Sequence, residues 1–189
     1  MKPIGTGQIR IIAGQWRARK LTAPQGLTTR PTADRTRETL FSMLTSRLGS
    51  FADLRVADLF AGSGALGLES LSRGAAHCSF IDQDPAAIAT IRANVGTLGA
   101  KGADIRQANA ARPAAVSAPF DLLLADPPYA FVETAAWMDA LVAQNWVGAH
   151  SWLVLERGDG NIALGAAWHA ETSRRCGKAW LHFLRYQPA

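Results

Sequence analysis

Strand-like and helix-like segments alternate along most of the chain, and this alternation restricts the possible fold more than any other feature. Short apolar runs typical of buried strands are followed by segments with helical spacing. The predicted strands cover residues 56–60, 78–82, 103–107, 120–125 and 151–156, and the predicted helices cover residues 34–48, 66–73, 85–98 and 132–143. Such βα repetition predicts an α/β, Rossmann-like fold with a doubly wound, mostly parallel sheet. Residues 167–174 and 178–186 flank a Gly-containing turn and predict a closing antiparallel C-terminal hairpin.

The stretch Asp126-Pro127-Pro128-Tyr129 directly follows one of the buried strands. Two prolines cannot continue a sheet ladder, so the strand must end there and the chain must turn stiffly. A carboxylate, fixed carbonyls and an aromatic ring then stand at the carboxyl end of a strand, where open α/β sheets bind ligands. This set suits a flat heterocycle with an amino group, such as a nucleobase. Taken alone, the stretch is equally compatible with a stiff turn that caps a helix.

A glycine-rich turn follows the first predicted strand of the alternating region. Gly62, Gly64 and Gly67 fit G-x-G-x-x-G, and Asp82 stands at the end of the next strand, as in dinucleotide-binding proteins. Asp58 places a further carboxylate where a pyrophosphate would add negative charge. The turn therefore suits a ribose-bearing cation such as S-adenosylmethionine better than a dinucleotide, although a nicotinamide or flavin dinucleotide stays an alternative.

Positive charge is concentrated at the start of the chain. Residues 1–47 hold nine basic and two acidic residues, a net charge of +7, whereas the whole chain carries +5. Residues 9–21 predict a short β-hairpin, and residues 1–30 are predicted to form a basic N-terminal appendage to a main domain over residues 31–189. Such a distribution is expected of a segment that follows a phosphate backbone. The candidate RNA-binding residues are Arg10, Trp16, Arg17, Arg19, Lys20, Arg30 and Arg35.

Two of these predictions have a more specific basis. Trp16 is the tryptophan that lies within the basic hairpin, which makes it a candidate for stacking on a base. Arg30, Arg35 and Arg37 lie near the start of a predicted helix, where cations oppose the helix dipole, so we expect them to meet an anion.

Composition excludes several classes of protein. With 48% hydrophobic residues the chain can bury a core, so it is not a disordered protein. No apolar run reaches the length that spans a bilayer, and the start lacks the apolar segment of a secretory signal. Its two cysteines, Cys78 and Cys176, lack metal-ligand spacing and suit a reducing compartment. We therefore expect a cytoplasmic monomer without a metal or a membrane partner.

Together the motifs resemble those of class I S-adenosylmethionine-dependent methyltransferases that act on an exocyclic amine. The resemblance rests on DLFAGSGALGLE (residues 58–69), Asp82 and DPPY (residues 126–129). The segment TRPTADRTRETLF (residues 29–41), after a basic hairpin ending in KLTAPQGL (residues 20–27), makes the resemblance more specific. Because of this segment the chain resembles the bacterial 16S rRNA (guanine(966)-N(2))-methyltransferase family, RsmD-like, over residues 8–186.

The resemblance implies a cofactor, S-adenosylmethionine, and a set of residues that binds it. Gly62 and Gly64 would line its methionine end, with Asp58 near the amino group, and Asp82 would bind the ribose hydroxyls. Phe60 belongs to the same implied site. In such enzymes an acidic residue after the third strand often faces the adenine amine. Here Ala108-Asn109-Ala110 stands there, and the Asn109 amide oxygen could accept from that amine instead.

The resemblance also implies a catalytic set and a partner, ribosomal RNA within a small-subunit particle. Asp126 and the Pro127 carbonyl would accept hydrogen bonds from the guanine N2 amine, Tyr129 would stack on the base, and Pro128 completes the motif. Glu69, inside the glycine motif's helix, is predicted to be an ordinary helix residue.

Three other interpretations stay open from the sequence. DPPY also serves methyltransferases for other amines, such as adenine N6 in DNA or RNA. A dinucleotide-dependent oxidoreductase would use the glycine turn but has no use for DPPY. A non-catalytic RNA-binding module would bind RNA whether or not Asp126 is present.

Overall fold

The structure is a computed structural model that describes residues 9–24, 31–128 and 130–188. Within these residues the helices are α1 (Pro31–Leu48), α2 (Ala65–Ser72), α3 (Pro85–Leu98) and α4 (Thr134–Ala143). The strands are β1 (Arg55–Leu59), β2 (His77–Asp82), β3 (Ala103–Gln107), β4 (Phe120–Ala125), β5 (Val147–Arg157), β6 (Trp168–Cys176) and β7 (Ala179–Tyr186). None of these helices is long and apolar enough to cross a bilayer.

All seven strands form one sheet in the order β3-β2-β1-β4-β5-β7-β6. Strand β7 runs antiparallel to both of its neighbours, and the pairs formed by β1 to β5 are parallel. The predicted α/β fold with a closing antiparallel hairpin is therefore confirmed. The chain leaves β1 toward one side of the sheet and β4 continues on the other side, so the strand order reverses between them. Open α/β sheets bind ligands at such a switch point, outside the carboxyl ends of the strands.

Each face of the sheet carries its own hydrophobic core, as expected for a doubly wound fold. On one face α1, α2 and α3 pack against alternate strand residues, with Phe41, Phe80 and Phe183 among the largest side chains that are fully buried. On the other face α4 and the segment after β3 cover a second core that contains Trp137 and Leu155. Because the central strand β4 is covered on both sides, all its residues except Asp121 are apolar.

The basic N-terminal segment forms a hairpin-like turn that packs onto the α1–α3 face. Its two arms are antiparallel and meet in one bridge between Arg10 and Lys20, with flanking bonds from Ile11 N–H to the Arg19 carbonyl and from Leu21 N–H to the Ile9 carbonyl. Ile11 and Leu21 are buried in the same core as the helices. The described part of this segment is thus attached through apolar burial, and the predicted boundary of an appendage at residue 30 stays a prediction.

Helix α2 holds this hairpin through polar side chains. The Glu69 carboxylate is fully buried and accepts from Ile12 N–H at 2.7 Å and from Ala13 N–H at 3.0 Å. It also pairs with Arg73 Nε at 2.8 Å. Ser72 Oγ donates to the Ala13 carbonyl at 2.6 Å. Glu69, predicted to be an ordinary helix residue, is therefore the main polar anchor of the basic hairpin.

Gly67 allows α2 to lie directly on the sheet. A Cβ atom there would stand 2.3 Å from Phe80 Cε1 and 2.6 Å from Cys78 Sγ. We expect Gly67→Ala to lower the free energy of unfolding by about 1–3 kcal/mol, because the helix must move away from β2. Gly96→Ala is the control, since its Cβ would meet nothing within 4 Å on the exposed side of α3.

Urea unfolding of both variants measures the difference. Alanine in a helix interior is favoured over glycine by about 0.5–1 kcal/mol, so Gly96→Ala should unfold at higher urea than the unsubstituted protein. Equal midpoints for the two variants would contradict the close packing of α2 on the sheet.

Candidate active site

A cleft of about 520 Å³ opens at the carboxyl edge of the sheet, beside the ends of β4 and β5. Its lining combines the turn after β4, the end of β5 and the start of β7, and consists of Asp126, Pro127, Pro128, Glu156, Arg157, Gly158, Asp159 and Ala179. The position is the one that the switch-point rule predicts for a ligand site. Its volume is sufficient for a flat ring of nucleobase size.

The Asp126-Pro127-Pro128 turn lines this cleft and holds two hydrogen-bond acceptors, the Asp126 carboxylate and the Pro127 carbonyl. Asp126 is exposed and Pro127 is buried. The Pro128 carbonyl accepts from Phe131 N–H at 2.9 Å, which closes the turn. In the described part of the chain no group donates to the Asp126 carboxylate or to the Pro127 carbonyl, so both can accept from a ligand. Tyr129 lies outside the described residues.

Arg157 fixes the segment that follows the turn. Its Nη1 donates to the Phe131 carbonyl, and its Nε pairs with Asp159 Oδ1 at 3.2 Å. Arg157 lies at the end of β5, whereas Phe131 follows the turn after β4. The guanidinium therefore joins two elements of the cleft wall and is itself occupied by partners from this chain.

Asp126 and Glu156 form a pair of carboxyl groups on neighbouring strands. Because Ala125 is paired with Leu155 in a parallel ladder, the next residue on each strand lies side by side with the other. Asp126 is open to the cleft, yet the cleft walls remove enough water to raise its pKa to about 6. Loss of water and, second, repulsion from Asp126 raise the pKa of Glu156 to about 7.

The glycine turn lies on the other side of the switch point, between β1 and α2. Gly62 and Gly64 have φ angles of +55° and +76°, which residues other than glycine rarely adopt. Asp82 fixes the turn, since its Oδ2 accepts from Gly62 N–H at 2.8 Å and its Oδ1 accepts from Asp84 N–H at 2.9 Å. A Cβ at Gly62 would meet no neighbour closer than the Phe60 carbonyl oxygen at 4.0 Å. The space over this backbone is therefore open to a ligand.

Asp58, at the end of β1, is buried. Its Oδ2 accepts from Gly67 N–H at 2.8 Å, which ties β1 to the start of α2. Burial raises its pKa to about 8, against the opposing effect of the Gly67 hydrogen bond, and the nearby charges of Asp126 and Asp82 add to the rise. A cation placed in the glycine turn would favour the charged form of Asp58.

Phe60 and Asn109, the other predicted cofactor residues, also border this edge of the sheet. Phe60 follows β1 with φ of +60°, a strained conformation for a residue other than glycine. Its ring packs against Phe131 at 5.6 Å and against Trp137 at 6.1 Å between centroids. The exposed Asn109 Oδ1 accepts from Ala111 N–H at 2.9 Å, so it stabilises the turn after β3. Its contact with an adenine amine stays a prediction.

The described candidates for RNA binding lie on the hairpin and on α1, and none of them belongs to the cleft lining. Arg10, Arg17, Arg19, Lys20 and Arg35 are exposed, and Trp16 is half-buried against the core. Arg30 lies outside the described residues.

Arg37 corrects one expectation. It is buried, pairs with Asp34 at 3.0 Å and donates to the Arg10 carbonyl at 2.6 Å. It therefore connects α1 to the hairpin and does not present its charge to an external anion.

Two features of the site are not predicted by the sequence. Nothing in the residues around Glu156 marks it as a site residue, because its position beside Asp126 depends on the pairing of β4 with β5. The other feature is a basic cluster at the β6–β7 hairpin, next to the cleft residue Ala179: Arg174 and Arg175 are exposed at the end of β6, and Lys178 is exposed in the turn. The net charge of the residues after position 47 is slightly negative, and this sum does not reveal a local group of cations.

The strand order, with an antiparallel β7 and a glycine turn after β1, defines the class I methyltransferase fold. The solved structure of yhhF from Escherichia coli superposes with a TM-score of 0.82 at 35% identity, covering 97% of this chain and 100% of that one. The chain belongs to the family described as Conserved hypothetical protein 95, whose model matches residues 9–185.

Relatives in this family carry a more specific name. Ribosomal RNA small subunit methyltransferase D of Escherichia coli K12 is 46% identical over 126 residues, which are 66% of this chain and 62% of that protein, slightly less than two thirds of its length. The protein of the same name from Haemophilus influenzae is 33% identical over 159 residues, 82% of this chain and 81% of that protein. The resemblance inferred from the sequence motifs is thereby confirmed at the level of the family.

Proposed function

We propose that the protein transfers a methyl group from S-adenosylmethionine to the N2 amine of a guanine in 16S ribosomal RNA. The observation that carries the proposal is a pair of acceptors, Asp126 and the Pro127 carbonyl, to which no described group donates, in a base-sized cleft at the end of the strand next to β1. The names of the family's relatives support ribosomal RNA as the substrate. The RNA would be bound within a small-subunit particle in the cytoplasm.

The glycine turn fits the proposed cofactor. Gly62 leaves open a space that a side chain would partly fill, and Asp82 and Asp58 supply acceptors for ribose hydroxyls and for an ammonium group. Both Asp82 oxygens already accept from the backbone, but a carboxylate oxygen has lone pairs for more than one donor. Bound S-adenosylmethionine supplies an electrophilic methyl group on a positively charged sulfur.

The chain's own residues orient the amine. A guanine amine is a poor nucleophile, because its lone pair is delocalised into the ring. Asp126 and the Pro127 carbonyl would hold its two N–H groups so that the lone pair points toward the methyl carbon. Orientation of this kind can supply several kcal/mol of the barrier, within the roughly 7–11 kcal/mol available to well-oriented reactants. No strong base is needed, since the N2 proton becomes acidic once the methyl group is attached.

The remaining parts would hold the RNA. The exposed cations of the hairpin would contact phosphates, and a target base turned out of its stack would enter the cleft. Stacking of that base on Tyr129 would recover about 1–3 kcal/mol of the cost of extruding it. Glu69 and Arg37 would act indirectly, by keeping the hairpin in place.

The test is methyl transfer to small subunits that lack the modification. The protein is incubated with S-adenosylmethionine carrying a labelled methyl group, and the RNA is then digested to nucleosides. Label in N2-methylguanosine is the expected result. Label in N6-methyladenosine would retain the fold and the cofactor but replace the substrate, and binding of NAD(P) without methyl transfer would indicate an oxidoreductase. RNA binding without label, equally strong in Asp126→Ala, would indicate a binding module.

The raised pKa values of the cleft carboxyls predict a pH dependence of the rate. Protonation adds an O–H donor and weakens each carboxyl as an acceptor, so kcat/KM, which reflects the free enzyme, should fall as the pH falls from about 7 to about 6. Methyl transfer at substrate concentrations below saturation, measured between pH 5 and pH 8.5, checks this, and a flat profile would contradict it.

Unfolding does not explain such a loss. Asp126 and Glu156 have higher pKa values in the folded protein than in the unfolded chain, so the fold favours their protonated forms. Their contribution to stability is complete below the unfolded-state pKa values and is lost as the pH rises through about 6 to 7. Acidification over this range therefore stabilises the protein through these two groups, and circular dichroism at each pH provides the control.

A further inference from the structure

We infer that Glu156 reads the Watson–Crick edge of the target guanine by accepting a hydrogen bond from N1–H, beside the N2 amine held by Asp126 and the Pro127 carbonyl. The inference rests on the proposed function and adds to it a residue that determines which base is accepted. Glu156 would be a specificity-determining residue of the cleft.

The geometry of the sheet places Glu156 correctly for this role. It follows Leu155 on β5 as Asp126 follows Ala125 on β4, and those two preceding residues are paired in the ladder. Side chains in register on adjacent parallel strands point to the same face, about 4.8 Å apart. On guanine, N1–H and the N2 amine are donors on neighbouring atoms of one edge. Two carboxylates side by side therefore match two adjacent donor positions.

Within the described part of the chain, no hydrogen bond or ion pair accounts for the position of the Glu156 carboxylate. It is half-buried and lines the cleft, and no described cation or hydrogen-bond donor contacts its carboxylate. The adjacent cation, Arg157, is occupied by Asp159 and the Phe131 carbonyl. Partial burial of a carboxylate without a partner is unfavourable, and repulsion from Asp126 adds to the cost. A ligand that offers two donors would satisfy both carboxylates and so reduce both penalties.

The same arrangement discriminates against adenine. Adenine N1 is an acceptor, so the ionised Glu156 carboxylate, the main form above its pKa of about 7, would repel it and lose its own hydrogen bond. Guanine N1 carries a hydrogen and is attracted. During transfer the N2–methyl bond forms as the methyl–sulfur bond breaks, and one N2 proton leaves to Asp126 or water. The N1 hydrogen stays on guanine, so Glu156 needs to give or take no proton.

The test compares two target bases that share the reacting amine. Once the methylated guanosine has been mapped, it is replaced by 2-aminopurine, which retains the 2-amino group but has an acceptor at N1. Glu156→Gln places an amide there, whose NH2 group can donate to that acceptor. We expect the ratio of kcat/KM for guanine to kcat/KM for 2-aminopurine to fall by about tenfold to a hundredfold in Glu156→Gln, the range of one well-formed base contact.

The control is Glu171→Gln, which makes the same chemical change at an exposed position on β6. Its ratio should equal that of the unsubstituted protein. Because both bases are tested on one preparation, the ratio does not depend on the fraction of folded protein. An unchanged ratio in Glu156→Gln, with guanine still methylated, would overturn the role of Glu156 alone. Failure of the unsubstituted protein to methylate guanine would overturn the proposed function as well.

Discussion

Replacing Asp126 with alanine should lower kcat for methyl transfer by about a hundredfold to ten-thousandfold, the range for loss of a positioned acceptor at a reacting group. The amine would keep one acceptor, the Pro127 carbonyl, and its lone pair would no longer be directed at the methyl carbon. KM for the RNA should change little, because the predicted phosphate contacts lie on the hairpin and not in the cleft lining. Single-turnover transfer of labelled methyl to subunits measures the effect.

Stability separates this result from a folding defect. Asp126 makes no hydrogen bond within the described residues and is repelled by Glu156, so its removal should leave the free energy of unfolding equal or slightly higher. Asp126→Asn, which keeps one oxygen acceptor, should lose less activity than Asp126→Ala. Asp121→Ala removes a carboxylate from the opposite end of the same strand, where it accepts from Arg55 N–H, and should retain nearly full activity. Equal kcat in Asp121→Ala and Asp126→Ala would contradict the proposed role of Asp126 in orienting the amine.

Local signals in the sequence were sufficient to predict most of the sheet. The observed bounds of α3, β3 and β4 coincide with the predicted ones. Helix α3 has a proline at its first turn and a left-handed Gly99 at its end, and Asp84 caps it by accepting from Ala86 N–H. The parallel, doubly wound character of the sheet followed from βα repetition, whereas the order of its strands was not predicted. Each predicted feature depends on residues that are close together in the chain.

The beginning of β5 shows why some boundaries were wrong. The strand begins at Val147, whereas the apolar pattern predicted residue 151. Its pairing with β4 shifts register between Phe120 and Leu122, and His150 adopts a φ of +78°. A bulge of this kind interrupts the alternation of buried and exposed residues. Helix α1 begins at Pro31, whereas the sequence predicted a start at residue 34, because no capping residue was recognised before Pro31.

The functions of charged residues were harder to predict than the fold. Arg37 and Glu69 look like surface charges in the sequence, but both are buried and hold the hairpin against α1 and α2. Glu156 gains its significance from a neighbour on another strand, Asp126. In each case the partner is remote in sequence, so periodicity and composition carry no information about the contact. Only the folded arrangement distinguishes an anchoring charge from one that is available to RNA.

Attachment of the hairpin predicts a second large effect, for Gly14→Ala. Gly14 has a φ of +83°, and a Cβ there would lie 1.9 Å from the Ser72 carbonyl oxygen and 2.3 Å from its carbon. The turn would have to move off the end of α2, which breaks the bonds from Gln15 N–H to the Ser72 carbonyl and from Trp16 N–H to Ser72 Oγ. The free energy of unfolding should fall by about 3–5 kcal/mol, the range observed when a substitution causes a severe steric clash and the loss of hydrogen bonds.

RNA binding should weaken in parallel, because Gly14→Ala displaces the segment that carries Arg10, Arg17, Arg19 and Lys20. We expect the dissociation constant for small-subunit RNA to rise at least about tenfold, with a shallower dependence on salt as phosphate contacts are lost. Gly49→Ala is the matched control: its φ is +72° but its Cβ meets nothing within 4 Å, so it carries the backbone strain of about 1–3 kcal/mol without the collision. Filter binding over a salt series and urea unfolding measure both effects. If the two variants unfold at the same urea concentration and bind RNA equally, contact with Ser72 does not hold the hairpin, and the basic surface must be organised by other residues.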